Sequence, residues 1–226
     1  MGIDYFTDYY SREVKEKNIA HALTRKNFEL IEADILGIEE FPRVDYVFHE
    51  ATQAGVVGSW GKQFETYARN NILATQKLLE FFDEYEIKKF IYASSSSVYG
   101  NAELPLKEDT VPKPISPYGV TKLASENLCR LYHTNYGLPV VMLRYFTVYG
   151  SRQRPDMAIH KLVMTVMNGE EITIFGGGLQ TRGFTYVDDV VEANILAAGS
   201  DVKRKVFNIG GGDRIRINDL IKLISK

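Results

Sequence analysis

Short apolar runs alternate with stretches of helical period along this chain, and few architectures accept that alternation. The one it favours is a parallel sheet whose strands are joined by crossover helices, with both faces covered. Val44 to His49, Phe90 to Ser94, Val140 to Phe146 and Val206 to Ile209 read as strands, because β-branched and aromatic residues fill them. Helices are expected over Glu65 to Tyr85, with Tyr67, Ile72, Leu78, Leu79 and Phe82 near the buried side, and at about Tyr118 to Tyr136, Ala158 to Asn168 and Val187 to Ala198. Ile215 to Lys226 opens a further amphipathic helix. With 226 residues and 45% hydrophobic content, the chain can bury a core as one large domain or as one domain with a small cap.

The remaining composition mostly excludes. With 27 basic and 29 acidic side chains the net charge is −2, which offers no global field for nucleic acid or a membrane surface. No stretch approaches the roughly 18 apolar residues that span a bilayer, and residues 1–10 have no apolar signal region, so a cytoplasmic protein is expected. Cys129 is the only cysteine and shares an apolar stripe with Leu128, Leu131 and Tyr132, which reads as a packed thiol. His21, His49, His133 and His160 lack ligand spacing, so no metal is expected.

Chemistry enters at Tyr118 and Lys122, which lie one helical turn apart on one face. A tyrosine that acts as a base near neutral pH must shift by roughly 3 units from about 10, worth about 4 kcal/mol. A neighbouring ammonium supplies much of that by favouring the phenolate. Upstream, the strand Phe90-Ile91-Tyr92-Ala93 breaks into Ser94-Ser95-Ser96-Ser97, and the next strand ends in Thr147-Val148-Tyr149-Gly150. In open α/β sheets chemistry gathers outside the carboxyl ends of strands, so both strand ends and the Tyr/Lys helix are expected to converge.

These motifs resemble those of the extended short-chain dehydrogenase/reductases, and within them the nucleotide-sugar 4-epimerases. The resemblance runs through Ile3-Asp4-Tyr5-Phe6, Ala33-Asp34-Ile35, His49 to Val56, Asn71 to Thr75, the serine run, Tyr118/Lys122 and Leu143 to Gly150. It continues through Gln180 to Asp189 and Phe207 to Gly212. It implies an α/β, Rossmann-like doubly wound parallel sheet over residues 1–147 and 184–207, binding NAD, with 148–183 and 208–226 in a small sugar-nucleotide cap. Tyr118 would take the proton of the sugar 4-hydroxyl, Lys122 would lower the phenol pKa and hold the nicotinamide ribose, and Ser95 would bond the 4-oxygen. The resemblance also assigns Asp4, Asp34, Ile35, Ala51, Asn71, Ser94 and Tyr145 to the cofactor, and Ser96, Thr147 and Arg182 to the UDP-sugar. It implies a homodimer.

A dinucleotide fold opens with a strand, a glycine-rich turn and a helix before its ribose acid. If Asp4 is that acid, the turn and first strand precede this sequence, and the chain is expected to be truncated at both ends. Two inner sheet edges would then lie unpaired, and NAD would bind weakly. A different class of reading follows: an inactive fragment, or a misbounded gene product, which the DNA upstream would distinguish. Family dehydratases carry an Asp-Glu pair after the catalytic hydroxyl, where Ser96 and Ser97 stand, so epimerisation is expected over elimination. UDP-glucose is the more general expectation for the substrate. UDP-glucuronate is the alternative, with Arg154 as partner of the C6 carboxylate. Val57, Gly183 and Thr147 depart from common family residues.

Overall fold

The computed structural model describes residues 1–212 and 214–225. Lys226, the expected last residue of the terminal helix, lies outside them. Four strands, β3 (Tyr46–His49), β4 (Lys89–Ser95), β5 (Val140–Tyr145) and β8 (Lys205–Ile209), pair in the order β3-β4-β5-β8, all parallel. β1 (Gly2–Asp4) and β2 (Leu30–Glu32) form a separate parallel pair, joined by helix α1 (Arg12–Leu23). β6 (Thr147–Tyr149), β7 (Thr181–Tyr186) and β9 (Arg214–Arg216) make a third, mixed sheet, accompanied by α5 (Ala158–Met167) and α7 (Ile217–Ile224).

Alternation along β4 and β5 sends successive side chains to opposite faces. Phe90, Tyr92, Val140 and Met142 join Leu78, Leu79, Phe82, Cys129 and Tyr132 in the larger core cluster. Those partners come from α3 (Ala74–Asp83) and α4 (Pro117–Tyr136). Ile91, Val141 and Leu143 face the other way, with Ala197 of α6 (Val187–Gly199). Covering on both faces is why these strands read as continuous apolar runs. Cys129 is fully buried, with Tyr132 and Leu128 packed in the same core, whereas Leu131 of the expected stripe is exposed.

Two expected helices differ in outcome. The span Glu65 to Tyr85 is helical but not uniformly α: α2 (Phe64–Tyr67) leads into a π-helical turn over Ala68–Leu73 before α3. Asn71 sits in that turn, 1% exposed and tied outward to a loop, and side-chain bonding of this kind is what the wider turn accommodates. Ile215 and Arg216, read as the start of the last helix, belong instead to β9, because residues 181–183 of β7 offer them an antiparallel partner.

The long helix α4 is specified locally. The Ser116 hydroxyl accepts from Gly119 N at 3.1 Å, Pro117 fills the first turn, and Gly137 ends the helix in the left-handed region at φ 86°. Gly119 has a second role, since a Cβ there would stand 2.6 Å from the Ser97 carbonyl oxygen. Its absence lets the first turn of α4 press against the serine loop. Tyr118 thereby comes to the end of β4.

Candidate active site

The Tyr118 phenol lies close enough to the Ser95 hydroxyl for that hydroxyl to favour the phenolate. Ser95 ends β4, is 9% exposed, and its hydroxyl oxygen accepts the Ser97 amide at 3.1 Å. One turn further along α4, the Lys122 ammonium is buried at 2% exposure and donates to Ala93 O at 2.7 Å. That is its only hydrogen bond among the described residues, so two of its three donors have no acceptor there. Tyr67 stands edge-on to Tyr118 at 6.3 Å and donates to the carbonyls of Ala54 and Gly55. Ser95, Tyr118 and Lys122 therefore meet at the carboxyl end of β4, as the spacing anticipates.

Burial dominates the electrostatics of the pair. Burial raises the Tyr118 pKa above its ordinary value, and the Ser95 hydroxyl and the Arg154 cation oppose it. Desolvation pushes Lys122 itself down to about 8, against the pull of Glu50 and other anionic neighbours. The lysine directs its proton to the β4 backbone rather than to the phenol. A phenolate at Tyr118 accordingly needs positive charge beyond what these residues supply.

A cavity of about 400 Å³ runs from Asp4, Asp34 and Ile35 past Ala51 to Arg154. Asp4 ends β1 and turns the chain by accepting Phe6 N at 2.6 Å. Asp34 accepts Leu36 N at 3.0 Å and pairs with Arg69. Burial raises its pKa, but Arg69 and the Leu36 amide outweigh that and hold the carboxyl below the usual range. Ile35 and Ile3 pack on the main core from the cavity side. Two further residues assigned to the cofactor act differently. Asn71 accepts from Thr52 Oγ1 at 2.8 Å and Gln53 N at 2.7 Å, and donates to Gln53 O at 3.1 Å and Thr121 Oγ1 at 2.9 Å. All four bonding positions of its amide are taken, so it fixes the loop after β3 to α4 and has none left for a ligand. The Ser94 hydroxyl likewise turns inward, donating to Glu126 at 2.6 Å.

Tyr145, at the end of β5 and opposite Ser95 in register, donates to Glu50 Oε1 at 2.8 Å and accepts from Asn194 Nδ2 at 2.7 Å. Ser96 is half-buried beside Ser95, at the start of the turn that follows β4. Thr147 opens β6 and pairs with Phe184. Arg182 is exposed on β7 and donates to Thr181 O at 3.2 Å, and it is not gathered with Tyr118.

Sequence reasoning missed the support beneath the site. Glu126 and Arg144, each with a side chain 0% exposed, form a two-bond ion pair at 2.8 and 2.7 Å. The usable signal was a charge on the buried stripe of α4, at Glu126, one turn past Lys122 and one turn before Cys129.

The matching family model is the NAD dependent epimerase/dehydratase family, aligned over residues 6–210. The chain belongs to that family. An uncharacterized UDP-glucose epimerase of Bacillus subtilis is 43% identical over 230 residues, covering 99% of this chain and 72% of that protein. The UDP-glucuronate 4-epimerase of Thermodesulfobacterium geofontis is 35% identical, covering 100% and 72% respectively. Among solved structures, the UDP-glucuronic acid 4-epimerase of Bacillus cereus, in complex with UDP-glucuronic acid and NAD, superposes with a TM-score of 0.93 at 43% identity, covering 99% of this chain and 73% of that one. The Rossmann-like α/β fold and the epimerase class thus stand on both sequence and structure. No described helix is long and apolar enough to cross a membrane, and no described cluster of His, Cys, Asp or Glu would hold a metal ion.

Proposed function

We propose that the protein interconverts the C4 epimers of a UDP-linked uronic acid, UDP-glucuronate, with NAD as cofactor. The observation that carries the reading is Arg154, which lines the cavity that also holds Asp4, Asp34 and Ala51 and whose charge acts on Tyr118. A guanidinium next to the base suits a substrate with a carboxylate at C6, near the reacting C4 carbon and its hydroxyl. The Bacillus cereus and Thermodesulfobacterium geofontis relatives support glucuronate over the UDP-glucose favoured from sequence.

NAD fits the residues present. The two unpartnered donors of Lys122 suit a ribose diol, and the carboxylates of Asp4 and Asp34 suit the hydroxyl and amino donors of an adenosine. When bound, NAD supplies a hydride acceptor and donor for C4 and a positive charge near Tyr118. The chain supplies the rest. Tyr118 Oη receives the 4-hydroxyl proton and later returns it, while Ser95 Oγ donates to the same 4-oxygen and orients it. Lys122 anchors the ribose from its seat on Ala93 O. Thr147, Ser96 and Arg182 are proposed contacts of the sugar nucleotide, and the third sheet with α5 and α7 is proposed as the cap that carries most of them.

Incubation of the purified protein and NAD with UDP-glucuronate or UDP-glucose, followed by chromatographic separation of the epimers, tests the reading. Uronic acid turnover should exceed glucose turnover by at least about tenfold in kcat/KM, the scale of one charged hydrogen bond. Preferential conversion of UDP-glucose would return the substrate to the neutral sugar.

A further inference from the structure

The segment that follows β1 lies along the adenosine end of the cavity, yet it also reaches the arginine at the other end. Tyr9 Oη donates to Asp156 Oδ2 at 3.1 Å across 147 residues of sequence. Asp156 in turn holds Arg154 with two bonds, from Nε at 3.0 Å and from Nη2 at 3.1 Å, and the guanidinium lies over the Tyr9 ring at 5.4 Å. Gly55 makes the approach feasible. A Cβ there would fall 2.8 Å from the Tyr9 hydroxyl and 3.3 Å from that of Tyr67, and its φ of +106° is one that other residues rarely adopt. A second strut joins the same two parts, from Asn18 Nδ2 of α1 to Arg152 O at 3.5 Å.

We infer that Tyr9 and Asp156 are positioning residues that aim Arg154 at the anionic group of the substrate, and so couple the cofactor-side loop to sugar selection. The inference rests on the proposed uronic acid substrate and adds to it. Arginine carries a fork of donors, and a carboxylate on the Nε and Nη2 edge fixes the plane of the fork. Nη2 also meets Met157 Sδ at 3.3 Å, whereas Nη1 has no partner among the described residues and its two donors remain for a ligand carboxylate. Asp156 also sets the strength of that grip, since it takes up part of the positive charge when no anion is bound. A neutral sugar gains nothing from the arrangement, whereas a sugar acid meets a donor pair whose orientation is already fixed. Tyr9 acts one step further out, by ring contact with the guanidinium and by its bond to Asp156. Neither residue touches the reacting carbon.

Tyr9→Phe, Asp156→Asn and their combination, made in this protein with NAD present, test the inference by steady-state kinetics on UDP-glucuronate and UDP-glucose. Tyr9→Phe should raise KM for UDP-glucuronate about fivefold, the scale of one lost hydrogen bond, with kcat changed less than twofold. KM for UDP-glucose should stay within about twofold, and the double variant should cost less than the product of the two single effects, because both act through Arg154. Calorimetric binding of UDP-glucuronate should follow the KM values. Equal losses for both sugars, or none for either, would overturn the positioning role while leaving the functional reading intact. Wild-type protein that turns over UDP-glucose but not UDP-glucuronate would overturn the functional reading, and this inference with it.

Discussion

Replacing Glu126 by Gln removes one charge from a pair that water cannot reach, and the structure allows the cost to be worked out. Arg144 donates through Nε at 2.8 Å and Nη2 at 2.7 Å to Glu126, and the Ser94 hydroxyl donates to the same carboxylate at 2.6 Å. Both charged side chains have zero exposure. Breaking such a pair from one side typically costs about 3–5 kcal/mol, because the remaining charge stays buried without compensation. The amide that replaces the carboxylate would keep one acceptor but present a donor where the guanidinium also donates, so about 4 kcal/mol is expected, the middle of that range. That is a large share of the roughly 5–15 kcal/mol that holds a typical domain together. Urea unfolding followed by circular dichroism measures it, with an unchanged m-value as the condition for reading the shift as stability. The paired replacement Glu126→Met with Arg144→Met should recover more than half of the loss, since neither charge is then left alone. A loss below about 1 kcal/mol for Glu126→Gln, or a double variant no better than the single, would refute the reasoning. Turnover should suffer as well, because Ser94 and Ala93, which this network and Lys122 hold, lead directly to Ser95.

Other outcomes follow from the same side chains. Tyr118→Phe keeps the ring and removes the proton acceptor, so kcat should fall by at least ~10² with little change in binding of the sugar nucleotide. Lys122→Met should abolish turnover yet stabilise the fold by up to about 3 kcal/mol at neutral pH, because a native pKa of about 8 against an ordinary 10.5 marks a charged form penalised by burial. In the wild type that penalty is relieved as pH rises from about 8 towards 10.5, where the unfolded chain binds the extra proton, so the advantage of the variant should shrink there in thermal melts. His49 is buried against Thr75 and desolvation pushes it down to about 3, so it stays neutral in the fold. Its contribution is complete above pH about 6.5 and is lost as pH falls towards 3, and a His49→Gln variant should flatten that acid limb of the stability curve. Arg154→Ala should lower kcat/KM for UDP-glucuronate by about 1.5–3 kcal/mol while sparing UDP-glucose, and equal small losses for both would remove the carboxylate contact.

The parallel body was legible because each strand carries its own signature. Val140 to Phe146 needs only its apolar run, interrupted once by Arg144, to be recognised, and β5 covers all but its last residue. Ser116, Pro117 and Gly137 likewise mark both ends of α4 within the local sequence. The π-helical turn was not legible. It answers to the four bonds of Asn71, whose partners lie on the loop after β3 and on α4, so no window of helical period contains the cause. The brevity of β1 and β2, three residues each, was equally beyond periodicity, which reports facing and not neighbours, whereas their separation from β3 matches the unpaired inner edges expected from the motif order.

The same distinction explains why the residues of the site were found while the groups around them were not. Tyr118 and Lys122 are four apart, so one helix brings them to one face, and a lysine on that face was expected to lower the phenol pKa. What decides the matter is the third party at each end. Ala93 O, delivered by β4, takes the lysine proton, and Arg154, delivered by the segment after β6, supplies the cation that acts on the phenol. Both come from parts of the chain that sequence spacing cannot align with α4. Arg154 is itself held by Asp156 and Tyr9, so the cation that acts on the candidate base is placed in part by a residue in the loop after β1. Electrostatic tuning here belongs to the assembled strand ends, and any substitution that moves the loop after β1 should be felt at Tyr118 even though 109 positions separate Tyr9 from it.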